Sequence, residues 1–184
     1  MDVLLSHRDE ALTQHFMGRL VVALEKSNFV SHTLTLSNRN SERGQEPLVW
    51  KGVSGQGAGF DTLDKAMLVW QTPSGLGPRY DGAEEDAPHP RRRVDIIVSP
   101  WKTVGCAIVG WTGGTTFQRD LRTYCKVERQ FKFDSSGIRS RVDGSWMDLE
   151  DGVLGKSPDM LTSEKRVFSG LGLDWRPPEE RCTG

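Results

Sequence analysis

Residues 91–122, RRRVDIIVSPWKTVGCAIVGWTGGTTFQRDLR, constrain the fold of this 184-residue chain more than any other stretch. The run 94–98 is apolar and β-branched with one carboxylate, Asp95, inside it, which predicts a buried strand. A buried carboxylate is strongly disfavoured unless its charge is paired or used. Ser99-Pro100 ends the strand, and an apolar helix is predicted over residues 101–109.

A glycine-rich corner, residues 110–114, follows, and a second helix is predicted from 115 to about 126. Its apolar face carries Phe117, Leu121 and Tyr124, and its polar face carries Gln118, Arg119 and Arg122. Ordinary structural interpretations exist for the parts taken singly. Asp95 could pair with an arginine, Trp111 could be core, and Gln118 could close a capping box with Thr115.

Composition narrows the class of protein. The net charge is −1, but basic residues cluster at 91–93 and between 119 and 132, a distribution that suits a face for a nucleic-acid backbone. The three cysteines have no CxxC spacing, which argues against a disulfide framework or a zinc site. No apolar run approaches the length of a membrane span and no signal-peptide pattern opens the chain, so we expect a soluble intracellular protein without a membrane partner.

The remaining elements predict an α+β fold with hairpin connections rather than a doubly wound parallel sheet. Strands are predicted at residues 2–5, 29–36, 66–70 and 131–133, and helices at 11–26 and 164–171. Asp9 is a candidate N-cap for the first helix. Thr162 or Ser163 is expected to cap the last helix and Gly172 to end it. Asp143-Gly144 is a hairpin signal.

Two stretches lack periodicity. Residues 37–60 are rich in Gly, Ser, Asn and charge, which predicts a long flexible loop, and a loop of this length is more often functional than accidental. Residues 74–90 form a second irregular connection with three prolines and an acidic cluster at 84–86. An acidic cluster of this kind is usually a solvated face, and no function is assigned to it.

Three segments together resemble the palm-to-thumb junction of the X family of DNA polymerases in order and spacing. They are Arg92-Arg93-Val94-Asp95, Gly110-Trp111-Thr112-Gly113 and Phe117-Gln118-Arg119-Asp120-Leu121-Arg122. The start, Asp2-Val3-Leu4-Leu5-Ser6-His7, resembles the first catalytic strand of the family cut just after its first aspartate. The run 164–181 resembles the end of the thumb. Gly110-Trp111 is similar to the pair in mu-type and terminal-transferase-type members, where beta- and lambda-type members have Tyr-Phe.

The resemblance implies a nucleotidyltransferase-type palm with a mixed sheet over residues 1–110 and a small α+β thumb over 111–184. The activity implied is two-metal transfer of a nucleotide to a primer 3′-hydroxyl during end joining or gap filling, with Mg²⁺ or Mn²⁺. The implied partners are gapped or broken DNA, a dNTP and, because Gly110 leaves room near the sugar, also an rNTP. End-joining proteins are candidate partners, and a nuclear monomer is expected. The loop 37–60 falls where mu-type members carry a long loop near the primer terminus.

Site residues follow from the same resemblance, position by position. The resemblance assigns Asp2 and Asp95 to catalysis and metal binding. It assigns Gly110, Trp111, Gly113 and Gln118 to the incoming nucleotide. It assigns Arg93 to the primer side, and Arg119 and Arg122 to the template. The first of three family carboxylates would precede Met1, so we expect an incomplete catalytic unit; the alternative is a non-catalytic DNA-binding remnant of the same fold.

Overall fold

The computed structural model describes residues 1–46, 62–73 and 90–182. The predictions of irregular structure at 47–60 and 74–89 therefore lie outside the described residues. Within the described ranges, no helix is both long and apolar enough to cross a membrane. The predicted α+β class is confirmed, because the chain forms two separate sheets and helices.

A four-stranded mixed sheet forms the first half of the molecule. Its strands are β1 (Asp2–Leu5), β2 (Val30–Ser37), β3 (Asp64–Trp70) and β4 (Arg92–Val98). The spatial order is β1-β4-β3-β2, with β1 parallel to β4 and the other neighbours antiparallel. Since successive side chains of a strand point to opposite faces, β4 places Val94, Ile96 and Val98 on one face and Arg93, Asp95 and Ile97 on the other.

Helix α1 (Phe16–Lys26) covers the first of these faces and buries Met17 and Val21 against it. The prediction of a continuous helix from residue 11 is wrong, because a short 3₁₀ turn (Glu10–Leu12) precedes α1 and His15 takes a left-handed backbone, φ 53°, between them. The Ser41 hydroxyl accepts the His15 amide at 2.8 Å. Asp9 caps the 3₁₀ turn instead of the first helix, as its carboxylate accepts a hydrogen bond from the Ala11 amide at 3.1 Å, whereas the N-cap of α1 is His15, whose side chain makes no capping hydrogen bond.

A one-turn helix, α2 (Arg39–Glu42), lies in the stretch predicted as a loop from residue 37. That prediction is therefore wrong for its first residues, since β2 also extends through Ser37. The cause is the buried carboxylate of Asp64, which accepts the amides of Asn40 (2.8 Å) and Ser41 (3.1 Å). A residue at the start of β3 thus organises the turn that follows β2.

Helices α3 (Val104–Trp111) and α4 (Thr115–Val127) follow β4. A 3₁₀ turn (Trp101–Thr103) precedes α3, and α3 runs two residues beyond the predicted end at 109. Gly110 and Trp111 therefore lie in the last helical turn rather than in a corner. The corner itself is Thr112 to Gly114, where Thr112 is extended and Gly113 has φ +79°.

The second half of the chain packs a three-stranded antiparallel sheet and a final helix around α3 and α4. The strands are β5 (Phe131–Asp134), β6 (Gly137–Ser140) and β7 (Trp146–Met147), and the helix is α5 (Met160–Leu171). The predicted cap of α5 at Thr162 or Ser163 is wrong, because Asp159 caps the helix by accepting the Thr162 amide at 2.8 Å. The predicted end at Gly172 is confirmed by its left-handed φ of 74°.

Candidate active site

Asp2 and Asp95 are paired directly across the parallel strands β1 and β4. Residues directly opposite each other in a sheet share a face, so both carboxylates belong to the face that α1 leaves uncovered. Two residues further along, Leu4 and Ile97 are paired on that same face and pack with α3 and Trp111. The carboxylate pair therefore lies at the edge of the area that α3 covers.

Arg93 holds Asp95 through both carboxylate oxygens. Its Nε donates to Oδ1 at 2.8 Å and its Nη2 to Oδ2 at 2.7 Å, the two-pronged geometry that makes arginine–carboxylate pairs specific. The hydrogen bond and charge of Asp95, with a smaller contribution from Asp2, raise the pKa of Arg93. The Arg93 side chain is 59% exposed and the Asp95 side chain only 16%, so Arg93 covers the carboxylate on the solvent side.

The donor set fits a hard divalent cation in part. Carboxylate oxygens on one rigid face are ligands that Mg²⁺ prefers, and Mg²⁺ usually takes one or two of them with phosphate oxygens and water. Within residues 1–46, 62–73 and 90–182, no group of three or more His, Cys, Asp or Glu side chains could hold a metal. Asp2 and Asp95 could offer two carboxylate ligands, and Arg93 would compete with a cation for Asp95.

Trp111 and Gly110 pack against different neighbours. The Trp111 ring lies on the small core cluster of Leu63, Ile97 and Ala107 and is half-buried, and its Nε1 has no hydrogen-bond partner among the described residues. Gly110 faces the other way: a Cβ there would lie 2.8 Å from the Cβ and 2.9 Å from the Cα of Ser135, closer than real Cβ atoms approach. The absent side chain is needed for α3 to contact the turn after β5.

Gln118 holds the end of α3. Its Nε2 donates to the carbonyls of Val109 (2.5 Å) and Thr112 (2.6 Å), which are acceptors that the helix leaves unsatisfied at its C-terminus. The capping box with Thr115 is wrong, because Gly114 is the N-cap of α4 and no side chain caps it. The Gln118 Oε1 is buried and has no partner among the described residues.

Arg119 and Arg122 lie on the exposed face of α4, as predicted. Arg119 makes a long contact with its neighbour Asp120 at 3.4 Å, and Arg122 donates to the Gln118 carbonyl at 3.3 Å. Both contacts are exposed and weak, so both guanidinium groups keep donors for a ligand. The structure thus brings Asp2, Asp95 and Arg93 together on the sheet and Gln118 next to the 112–114 corner.

Comparisons with known proteins show similarity to DNA polymerases. Residues 107–182 match the family model of the DNA polymerase beta thumb. The chain belongs to the X family of DNA polymerases. Over 123 residues, 66% of this chain, it is 29% identical to human DNA-directed DNA/RNA polymerase mu and 33% identical to human DNA nucleotidylexotransferase. Over 181 residues, 98% of the chain, it is 26% identical to DNA polymerase lambda of Arabidopsis thaliana.

The matched regions span 22%, 22% and 28% of the lengths of these three relatives. The thumb match begins at residue 107, inside α3 and four residues before the predicted boundary at 111. The division into a palm over 1–110 and a thumb over 111–184 stays a prediction.

Two buried residues that the sequence did not single out, Arg181 and Glu164, fix the corner of this X-family chain. Arg181 donates to the Thr112 hydroxyl at 2.6 Å, and its carbonyl accepts the Gly114 amide at 2.9 Å. Its guanidinium also pairs with Glu164 at 2.7 Å, with both side chains almost fully buried. A Cβ on Gly113 would lie 2.7 Å from the Arg181 Cβ, so Gly113 is required by this contact as well as by its φ. One sequence feature could have indicated them: both charged residues lie in the run 164–181, which resembles the end of the thumb.

Glu150 is a third buried residue that the sequence did not single out. Its carboxylate accepts the amides of Gly105 (2.6 Å) and Cys106 (2.9 Å) in the first turn of α3 and the Ser163 hydroxyl of α5 (2.5 Å). Burial raises the pKa of Glu150 to about 7, while these hydrogen bonds act in the opposite direction. No local pattern marks it in the sequence, because all its partners lie at least 13 residues away.

Proposed function

We propose that this chain takes part in nucleotidyl transfer from a nucleoside triphosphate to the 3′-hydroxyl of a DNA primer. The observation that carries the proposal is the direct pairing of Asp2 with Asp95 on a rigid sheet, beside an exposed arginine and a half-buried tryptophan. Phosphoryl transfer needs positioning and charge neutralisation more than covalent chemistry from the protein. A pair of carboxylates fixed on one face can hold the cations that would supply both.

Asp2 and Asp95 would hold Mg²⁺ or Mn²⁺. Two such ions, when bound, neutralise charge on the attacking and leaving oxygens of an in-line displacement. Arg93 must release at least one Asp95 oxygen for this, and its largely exposed side chain has room to turn toward a primer phosphate. Guanidinium groups bind carboxylates and phosphates with the same fork, so the exchange keeps the arginine satisfied.

The other site residues predicted from the sequence are proposed to position the nucleotide and the template. Trp111 offers an apolar ring beside the carboxylate face for the sugar. The proposed tolerance of a 2′-hydroxyl at Gly110 rests on the resemblance, because Ser135 occupies the space that a side chain at Gly110 would fill. Gln118 and Gly113 shape the corner that the nucleotide contacts. Arg119 and Arg122 extend from α4 toward the template backbone, where phosphate contacts position a strand without reading its sequence.

The cellular role that we propose is end joining or gap filling in the nucleus by a monomeric chain, with dNTP and rNTP substrates. Support comes from the Gly110-Trp111 pair and from relatives named DNA-directed DNA/RNA polymerase mu and DNA nucleotidylexotransferase. End-joining proteins are the proposed class of protein partner.

One observation favours a second candidate, a DNA-binding chain without catalysis. Arg93 occupies both oxygens of Asp95, and the described ranges contain no third metal-ligating side chain beside the pair. On this alternative, the exposed arginines of α4 bind DNA while the carboxylates only pair with Arg93.

Binding and extension of a fluorescein-labelled gapped duplex separate the two candidates. We expect saturable binding by the chain, measured by fluorescence anisotropy, with weak Mg²⁺-dependent primer extension that Asp95→Asn abolishes. The control is Asp174→Asn, which removes an exposed carboxylate far along the chain. DNA binding without primer extension by the wild type or by Asp95→Asn favours the second candidate. Absence of DNA binding by the wild type contradicts both candidate functions.

A further inference from the structure

Arg181 reaches the Thr112–Gly114 corner from a position 69 residues after Thr112, and its side chain is 0% exposed. Its Nη1 donates to the Thr112 hydroxyl at 2.6 Å, while its Nε and Nη2 donate to the Arg176 carbonyl at 2.9 and 2.6 Å. Nη2 also lies 2.7 Å from a carboxylate oxygen of Glu164. The guanidinium is therefore enclosed and each of its nitrogens has a partner, so Arg181 acts on a ligand only through the residues that it holds.

The Thr112 hydroxyl joins Arg181 to the last turn of α3. It accepts the hydrogen bond from Arg181 and donates its own proton to the Ile108 carbonyl at 2.7 Å. A hydroxyl has a single proton to donate, so these two bonds fix its rotation. The Thr112 carbonyl in turn accepts from Gln118 at 2.6 Å. The turn that contains Trp111 is thus held through both the side chain and the backbone of Thr112.

Trp111 depends on this turn for its position. Its half-buried ring packs on the small core cluster that includes Ile97, on the same face of the sheet as the carboxylates. Its Nε1 has no hydrogen-bond partner among the described residues, so apolar packing and the backbone of the turn hold the ring. The chain changes direction directly after it, since Thr112 is extended with φ −120° and Gly113 has φ +79°. A change in how Thr112 is held would therefore be passed on to the Trp111 ring.

We propose that Arg181 is a positioning residue for the incoming nucleotide. Through the Thr112 hydroxyl, it holds the end of α3 so that the Trp111 ring faces the sugar beside the carboxylates. The inference rests on the proposed function, which supplies the contact between Trp111 and the sugar. A hydrogen bond from a charged donor is stronger than a neutral one. A ring that is already in place costs less free energy to order when a ligand binds.

Three threonine variants test the proposal while leaving the buried Arg181–Glu164 pair in place. Thr112→Val removes the hydroxyl, and Thr112→Ser keeps it. The matched control is Thr123→Val, which removes an exposed hydroxyl on α4 that donates to the Arg119 carbonyl at 3.0 Å. Urea unfolding first verifies that each variant is folded. Calorimetric titration with dATP, in Mg²⁺ and gapped DNA, then measures nucleotide affinity.

We expect nucleotide affinity to be about fivefold weaker in Thr112→Val, which corresponds to the loss of one hydrogen bond. Thr112→Ser and Thr123→Val should bind dATP like the wild type, and all three variants should bind the gapped duplex equally well. A general loss of stability would not separate nucleotide affinity from DNA affinity, nor would serine reverse it. Wild-type dATP affinity in Thr112→Val overturns the proposal.

A double-mutant cycle assigns the effect to Arg181 rather than to the helix bond with Ile108. Arg181→Lys keeps a positive charge beside Glu164 but lacks the nitrogen that donates to Thr112. Adding Thr112→Val to Arg181→Lys should weaken dATP binding by less than about twofold, because the hydrogen bond is already lost. A further loss of about fivefold in that background would show that the Ile108 bond positions the turn, and would overturn the role of Arg181.

Fluorine NMR of the fluorotryptophan-labelled chain separates this inference from the proposed function. The Trp111 resonance is assigned with Trp111→Phe and is read without nucleotide or DNA. We expect it to shift in Thr112→Val and to keep its wild-type position in Thr112→Ser and Thr123→Val. Absence of dATP binding by the wild type contradicts the proposed function, and a shifted resonance still supports the hold of Arg181 on Trp111. An unchanged Trp111 resonance in Thr112→Val overturns that hold whatever the nucleotide does.

Discussion

At the scale of single residues, Gly110 shows how one position can be limited by packing before it is limited by a substrate. Its backbone is helical, so the glycine is not needed for an unusual φ. Ser135 excludes a side chain at Gly110, because a Cβ on Gly110 would lie within 2.9 Å of the Cα and Cβ of Ser135. The prediction that Gly110 belongs to a corner is therefore wrong. The proposed tolerance of rNTP needs a test that leaves Gly110 unchanged. Comparing the incorporation of ATP and dATP by the wild type is such a test.

We predict that Gly110→Ala destabilises the chain, by about 1–3 kcal/mol, because overpacking at a backbone contact outweighs the better helix propensity of alanine. Gly18→Ala is the matched control, since a Cβ there meets its nearest atom, Asn38 Nδ2, at 3.7 Å. The control should raise the free energy of unfolding in urea by up to about 1 kcal/mol. A Gly110→Ala protein as stable as Gly18→Ala would show that α3 and the turn do not touch.

Glu150 gives the chain a pH dependence of known sign. Its pKa is about 7 in the folded chain against an ordinary value of 4.5, so the folded chain holds the proton more tightly than the unfolded chain. The contribution of Glu150 to stability is therefore greatest below about pH 4.5 and falls, by roughly 3 kcal/mol, as the pH rises to about 7.

Urea unfolding of Glu150→Gln across this pH range checks the sign. The variant should lose that part of the pH dependence, while Glu128→Gln, an exposed control, should keep the wild-type profile. If the stability of Glu150→Gln depends on pH as that of the wild type does, other titratable groups cause the pH dependence.

At the scale of elements, α3 carries the connection between the two halves. Ala107 packs toward the first sheet with Ile97, whereas Cys106 and Val109 belong to the core shared with α4 and α5. Gly105 lets α5 approach so closely that a Cβ would lie 2.6 Å from the Ser163 backbone. The corner after α3 is then fixed by Arg181 and Glu164 rather than by the glycines alone.

We predict that Arg181→Met destabilises the chain by about 3–5 kcal/mol, because it leaves the buried Glu164 carboxylate without its partner. The comparison is Arg176→Met, which breaks the exposed pair Arg176–Glu180, 3.6 Å apart, and should cost less than about 1 kcal/mol. Both are measured by urea unfolding. Similar losses in the two variants would mean that the Arg181–Glu164 pair contributes no more than a surface contact.

Strong hydrophobic patterns predicted the presence and type of whole helices and strands. Contacts with residues outside those patterns determined the exact ends of those elements, which the patterns did not predict. The apolar, β-branched run around Asp95 and the apolar face of α4 identified both elements from local pattern. The late start of α1 depends on Ser41, and the early start of α5 depends on Asp159, which neither apolar pattern includes. The pairing of Asp2 with Asp95 likewise requires the first and last strands of this sheet in chain order to lie side by side and parallel, so resemblance suggested it where spacing alone did not.

At the scale of the whole molecule, the first sheet presents carboxylates and an arginine on its open face, while the exposed arginines lie on α4. The two surfaces are connected through α3 and the Thr112–Gly114 corner, which Gln118 and Arg181 hold by hydrogen bonds to backbone and hydroxyl groups. A nucleotide at the carboxylates and a template strand on α4 would thus be positioned by one connected unit.

The central claim is that Asp2 and Asp95 form a site for a metal-bound nucleotide. Isothermal titration of dATP into the chain with gapped DNA, in Mg²⁺ and in EDTA, tests it most directly. The account predicts Mg²⁺-dependent binding by the wild type and by Asp174→Asn, and at least about tenfold weaker binding by Asp2→Asn and Asp95→Asn, a loss of about 1.4 kcal/mol or more. Wild-type affinity in both carboxylate variants, with Mg²⁺ present, would contradict it.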